Sequence, residues 1–159
     1  MQFKRLKIPV RFNLIINQSI NNLNMPTQVF INLSTKDLEK AKNFYTGLGF
    51  SINPQFTDEK AACVVISETI FVMLLKEAFF KTFIQNKEIT DTSKNTEVLV
   101  ALSAESKEKV NEMADKAIDS GGSAFRDPED HGFMYTRSFQ DPDGHIWEIV
   151  WMNTAQQEG

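Results

Sequence analysis

The chain has 159 residues, 42% hydrophobic and 24% charged, with 17 Lys and Arg against 21 Asp and Glu for a formal net charge of −4. That length suits one domain with its own core. The composition speaks against a disordered chain, and no uncharged apolar run approaches the roughly 18 residues that a membrane span needs. Phosphate-backbone affinity comes from clustered Lys and Arg, so an acidic chain is not expected to take nucleic acid as its partner.

Residues 1–24 hold Lys4, Arg5, Lys7 and Arg11 and no acid, a charge of +4 that leaves −8 on the remainder. The segment lacks the apolar centre and small-residue cleavage site of a secretory signal. It reads as a poorly ordered basic extension, with Met25 as the expected native start. Regular patterning begins at 27–34, TQVFINLS, where Val29, Ile31 and Leu33 alternate with period 2 and predict a half-buried strand. Ser34 and Asp37 follow as an S-x-x-D capping pattern. Leu38, Ala41, Tyr45 and Leu48 then fall at helical spacing until Gly47 and Gly49 stop the run.

Short strand-like runs follow at 50–53, 61–67 and 69–75, with Ser67-Glu68 as a turn. Cys63 is the single cysteine, set in the apolar stretch AACVVI. It has no partner for an intrachain disulfide, and it reads as a small buried hydrophobe in a reducing, cytoplasmic setting rather than as a nucleophile. Phe79, Phe80, Phe83 and Ile84 fall outside any sheet pattern; they line the mouth of a pocket or, as the expectation here, bury against a second subunit. The polar stretch 85–95 reads as a linker.

Residues 96–103, TEVLVALS, align without gaps on 27–34 at an offset of 69, so the chain contains an internal repeat. The second copy continues with Val110, Met113, Ala114, Ala117 and Ile118 at helical spacing and with Gly121-Gly122 as the stop. Runs at 123–125, 133–139 and 145–152 follow, the last two separated by the turn D-P-D-G at 141–144. Both copies therefore read βαβββ. Module one is placed at 27–84, the linker at 85–95, module two at 96–153 and a tail at 154–159. The expected class is α+β, with two βαβββ modules forming curved mixed sheets around a shared cavity.

The run NLSTKDLEKAKNFYTGLGF in the first module and FQDPDGHIWEIVW at the end of the second resemble the glyoxalase, bleomycin-resistance protein and extradiol dioxygenase superfamily, also called vicinal oxygen chelate. The chain looks most like its small bacterial glyoxalase-like proteins. The resemblance implies a divalent metal held by four strands, two per module, and acting as a Lewis acid on substrate oxygens. Carried onto this sequence, the ligand positions fall at Phe30, at or beside Val72 and Met73, at Leu99, and at Glu148. A two-residue shift would put Glu97 in place of Leu99. Only Glu148 clearly keeps a donor, so no metal site and no cofactor are expected.

Glu148 and His131 are the catalytic candidates, as a carboxylate and imidazole suited to acid and base work. Under strict alternation Trp147, Ile149 and Trp151 occupy one face of the last strand, and Glu148 points with Ile146 and Val150 toward the cavity. The alternative for Glu148 is a structural ion pair with Arg137. Asn32, Phe30, Met73, Leu99, Tyr135 and Arg137 are the binding candidates, with Tyr135 and Arg137 alternatively snorkelling on the helix side. His145 is expected at a solvated strand end.

The functional expectation is a homodimeric protein that binds a small organic metabolite or xenobiotic in an apolar cavity. Lyase or isomerase activity without the usual full metal site is the form of catalysis that the resemblance implies. The alternatives are a metal-dependent lactoylglutathione lyase-like or dioxygenase enzyme on a displaced ligand set, and a bleomycin-type antibiotic-sequestering protein. No membrane partner is expected.

Overall fold

The computed structural model describes residues 26–153; the basic extension 1–24, the expected start at Met25 and the tail 154–159 lie outside the described residues. Module one runs β1 (Val29–Thr35), α1 (Leu38–Gly47), β2 (Ser51–Asn53), a 3-10 turn (Pro54–Phe56), β3 (Ala61–Val65) and β4 (Ile70–Lys76), followed by a short α2 (Glu77–Phe80). Module two runs β5 (Leu99–Ser103), α3 (Lys107–Asp119), β6 (Ser123–Asp130), β7 (Met134–Gln140) and β8 (Ile146–Met152). The sheets have matching orders, β1-β4-β3-β2 and β5-β8-β7-β6, and in each the first and last strands are parallel. They are two separate sheets and do not close into a barrel.

The period-2 pattern explains which face of each strand is covered. Leu33 and Thr35 on β1, Val72 and Leu74 on β4, and Ala62 and Val64 on β3 are buried, and α1 packs on β3 and β4. Leu38, Ala41, Phe44 and Tyr45 form the buried side of α1. The N-cap of that helix is Asp37, whose carboxylate accepts from the Lys40 amide at 3.0 Å; Ser34, expected to open a capping box, is still in the strand. On α3, Val110, Ala114 and Ala117 are buried, whereas Ile118 is largely exposed at the margin of the apolar stripe.

Both helical sides share one core. Phe44 meets Phe139 with ring centroids 6.1 Å apart, and Tyr45 meets Trp147 edge-on at 5.8 Å, so α1 of module one packs on the sheet of module two. The approach is close at Gly122, where a Cβ would lie 2.6 Å from the Gln140 carbonyl oxygen and 2.9 Å from the Phe44 ring.

The Asp141–Gly144 turn completes the junction. Asp141 accepts from the Tyr45 hydroxyl at 2.7 Å and from the backbone amides of Asp143 and His145, each at 3.0 Å. Asp143 accepts from the Thr35 hydroxyl at 2.6 Å and from the Lys36 amide at 3.0 Å. Gly144 has φ +88°, and a Cβ there would lie 2.8 Å from Thr92 Oγ1, so the turn is restricted to glycine by both conformation and space. Module two thus grips the β1–α1 junction of module one with two carboxylates.

Candidate functional site

The strand faces turned away from the helices carry the candidate residues, and strand pairing arranges them in rows. In sheet A the row is Asn32, Met73, Cys63 and Asn53, one residue from each strand. In sheet B the corresponding row is Ala101, Glu148, Ser138 and Arg126. Phe30 lies one step along β1, half exposed and stacked on Phe71 at 5.0 Å; Leu99 lies one step along β5, also half exposed.

Two of the expected binding residues lie elsewhere. The Tyr135 hydroxyl donates to Asn111 at 2.9 Å, and Arg137 reaches the Asn111 side chain at 3.2 Å and Asp115 at 2.7 Å. Both therefore face α3, the snorkelling arrangement, because their odd-numbered positions on β7 share a face with buried Phe139. The pairing of Glu148 with Arg137 is corrected accordingly: Arg137 lies opposite Ile149, and Glu148 pairs with Arg126 on β6. The short strand expected at 123–125 extends to Asp130 with two register shifts, and Arg126 lies between them.

Glu148 side-chain exposure is 15% and that of Arg126 is 40%. Arg126 also lies 3.5 Å from Glu129, whose other oxygen is 3.4 Å from His131 Nε2. His131 is exposed, and its connection to Glu148 runs through Glu129 and Arg126 rather than by direct contact. Ser138, between Arg126 and Glu148 in the register, is only 4% exposed, and its hydroxyl has no hydrogen-bond partner among the described residues.

A cavity of about 370 Å³ opens beside β1, within the size range of small-molecule sites. Asn32 and Ser34 supply one wall, Phe80, Ile84 and Ile89 an apolar one, and Glu97 a carboxylate from module two. Phe80 and Ile84 therefore line a pocket, the reading set second to a subunit interface. Phe79 and Phe83 stack edge-on against each other at 5.1 Å.

Behind Glu97 sits His145, which is 3% exposed and not at a solvated strand end. Its Nδ1 bonds to the Glu97 carboxylate, and its Nε2 lies 2.8 Å from the Ser34 carbonyl oxygen. The imidazolium form, with a proton on each ring nitrogen, satisfies both acceptors. Burial disfavours that charge, but Asp141, the Ser34 carbonyl and Glu97 outweigh it and raise the His145 pKa above 6.5. The burial of this ring was not readable locally, because its acceptors lie 48 and 111 residues away. Cys63 is buried and its thiol pKa is raised by burial, which keeps it protonated and inert, as expected of a small core residue.

The residues do not fit the divalent metal of the resembled superfamily. Phe30 and Leu99 offer no donor, Met73 offers only a soft thioether, and Glu148 is already engaged. Glu97 does not restore the set. It lies outside β5, two residues before Leu99, and its carboxylate is bonded to His145. Among the described residues no group of three or more His, Cys, Asp and Glu is assembled to hold a metal ion.

The chain belongs to the Glyoxalase/Bleomycin resistance protein/Dioxygenase superfamily, whose family description matches residues 27–149. No curated protein matches it. Among solved structures it is similar to the hypothetical protein SA1046 from S. aureus, with 29% identity, a TM-score of 0.66, and coverage of 83% of this chain and 98% of that one. A glyoxalase/bleomycin resistance protein/dioxygenase family enzyme from Burkholderia phytofirmans PsJN has 16% identity and a TM-score of 0.69 over 80% of this chain and all of its own. TnmS3, an antibiotic binding protein from Streptomyces sp. CB03234, has 16% identity and a TM-score of 0.58 over 83% of this chain and all of its own.

Proposed function

We propose that the protein binds a small organic metabolite or xenobiotic, without a resident divalent metal, in the cavity walled by Asn32, Ser34, Phe80, Ile84 and Glu97. The observation that carries this reading is the loss of donors at Phe30, Met73 and Leu99 together with the engagement of Glu148 by Arg126. An apolar body rests against Phe80, Ile84 and Ile89, while Asn32 and the free oxygen of Glu97 orient its polar groups. Because His145 compensates the Glu97 charge, hydroxyl or amide donors suit that wall as well as a cation does. A thermal-shift screen of organic ligands in EDTA tests the proposal. Hits that persist in EDTA and disappear in Ile84→Glu support it; hits that require added metal contradict it.

Ligand sequestration without turnover is the second reading, and the same missing donors favour it; the similar structure TnmS3 is an antibiotic binding protein. Resistance of a sensitive host with drug bound and unaltered supports it over a lyase or isomerase. We further propose a homodimer in the cytoplasm. Phe30, Leu99, Phe56, Phe83, Phe125 and Phe133 are exposed apolar side chains suited to a subunit contact. Analytical ultracentrifugation that finds only monomer at micromolar concentration contradicts the dimer. Among the described residues no helix is long and apolar enough to cross a membrane.

A further inference from the structure

Glu148 is a mostly covered carboxylate on a strand face shared with Ile146 and Val150, and a charge so placed needs a counter-charge. The row across sheet B supplies one from the chain itself. Arg126, Ser138 and Glu148 are consecutive cross-strand neighbours, so they share one face. With strands about 4.8 Å apart, the outer two backbones are roughly 10 Å apart, a gap that an extended arginine and a glutamate close together. The residue between them is a serine, small enough for the guanidinium to pass over. Arg126 sits between two register shifts of β6, and its guanidinium reaches Glu148 across the row.

Ser138 adds an independent observation. Its hydroxyl is buried on this row and has no hydrogen-bond partner among the described residues. Buried hydroxyls are ordinarily bonded, so this one marks a place where a further polar atom is expected. Arg126 has five N–H donors, of which Glu148 and the more distant Glu129 take only some. Arg126, Glu129 and Glu148 together carry a charge of −1, so the remaining donors suit a neutral oxygen acceptor better than a carboxylate.

We propose that Arg126 is the resident cation of this site, seated where the fold family places a divalent metal. It neutralises Glu148 and offers its free N–H donors, with the Ser138 hydroxyl, to a neutral carbonyl oxygen of a ligand. This extends the metal-independent reading above and rests on it. The Arg126–Ser138–Glu148 row is a polar site on the open face of sheet B, separate from the cavity beside Asn32, whose lining it does not share.

The test uses the full chain and its Arg126→Ala and Arg126→Ala/Glu148→Gln variants, unfolded thermally with and without Mn²⁺, Ni²⁺ or Zn²⁺. Arg126→Ala lowers Tm by about 3–8 °C, the double variant recovers part of that loss, and no ion raises the Tm of the unmutated protein. A double variant no more stable than Arg126→Ala overturns the proposal alone. Stabilisation of the unmutated protein by an ion, abolished in Glu148→Gln, overturns both the proposal and the metal-independent reading. With acetamide as the carbonyl probe, the side-chain N–H resonance of Arg126 shifts saturably, and with methylammonium it does not. No saturable shift with acetamide overturns the ligand assignment.

Discussion

The two modules are copies in topology and opposites in chemistry. The row across sheet A, Asn32, Met73, Cys63 and Asn53, has no charged residue, whereas the row across sheet B, Ala101, Glu148, Ser138 and Arg126, carries an ion pair. Asn53 holds the register position that Arg126 holds in the second copy, and its side chain caps the 3-10 turn by accepting from the Gln55 amide at 2.9 Å. The difference teaches that a repeated fold fixes where side chains can meet and leaves open what they are. The modules differ again at their junction, where module two brings the Asp141–His145 turn and module one brings the Tyr45, Thr35 and Ser34 groups that it holds.

The largest effect is expected at that junction. Asp141→Ala strips the Tyr45 hydroxyl and two backbone amides of their acceptor and removes a carboxylate that favours the charged form of His145. It is expected to cost about 3–5 kcal/mol in urea unfolding. A cost below 1 kcal/mol shows that the turn does not join the modules. Next comes Met73→Glu, which places in sheet A the carboxylate that sheet B carries at Glu148, opposite no arginine. It is expected to cost about 2–4 kcal/mol, with Met73→Gln costing clearly less. If the two cost the same, the ion pair of sheet B is irrelevant to the contrast.

The pH dependence follows from His145. Its folded pKa is raised above 6.5, so the stability due to its charged form is fully present below about pH 6.5 and is lost as pH rises through the raised folded value. Stability is expected to fall over that range, and His145→Gln to flatten the profile. An unchanged slope in the variant contradicts the imidazolium assignment. The smallest stability effect is expected at Asn32, which is exposed and whose side chain, among the described residues, bonds only to the Phe30 carbonyl at 3.3 Å. Asn32→Ala is expected to change stability by less than about 0.5 kcal/mol and to weaken ligand binding about tenfold, read by calorimetry with any hit from the EDTA screen.

The repeat was legible because alternation in TQVFINLS and TEVLVALS is local and both copies obey it. The helix faces were legible for the same reason, as was the placement of Glu148 opposite Trp147 and Ile149. The partner of Glu148 was not legible, because β6 breaks alternation twice around Arg126 and the pairing spans two strands. The burial of His145 was not legible, because its two ring partners, Glu97 and the Ser34 carbonyl, lie 48 and 111 residues away in the chain. Phe80 and Ile84 have no period that shows which surface they face, and only the cavity beside β1 assigns them.

This chain keeps the fold of its superfamily, and under the proposal above its own residues stand in for the metal. Metal content settles it most directly: the protein is expressed in medium supplemented with Mn, Ni and Zn, exhaustively desalted, and analysed by plasma mass spectrometry beside Glu148→Gln. The account predicts well below 0.1 equivalents of any divalent metal per chain in both proteins, a threshold set by the few donors present. About one equivalent in the unmutated protein that is absent from Glu148→Gln contradicts it.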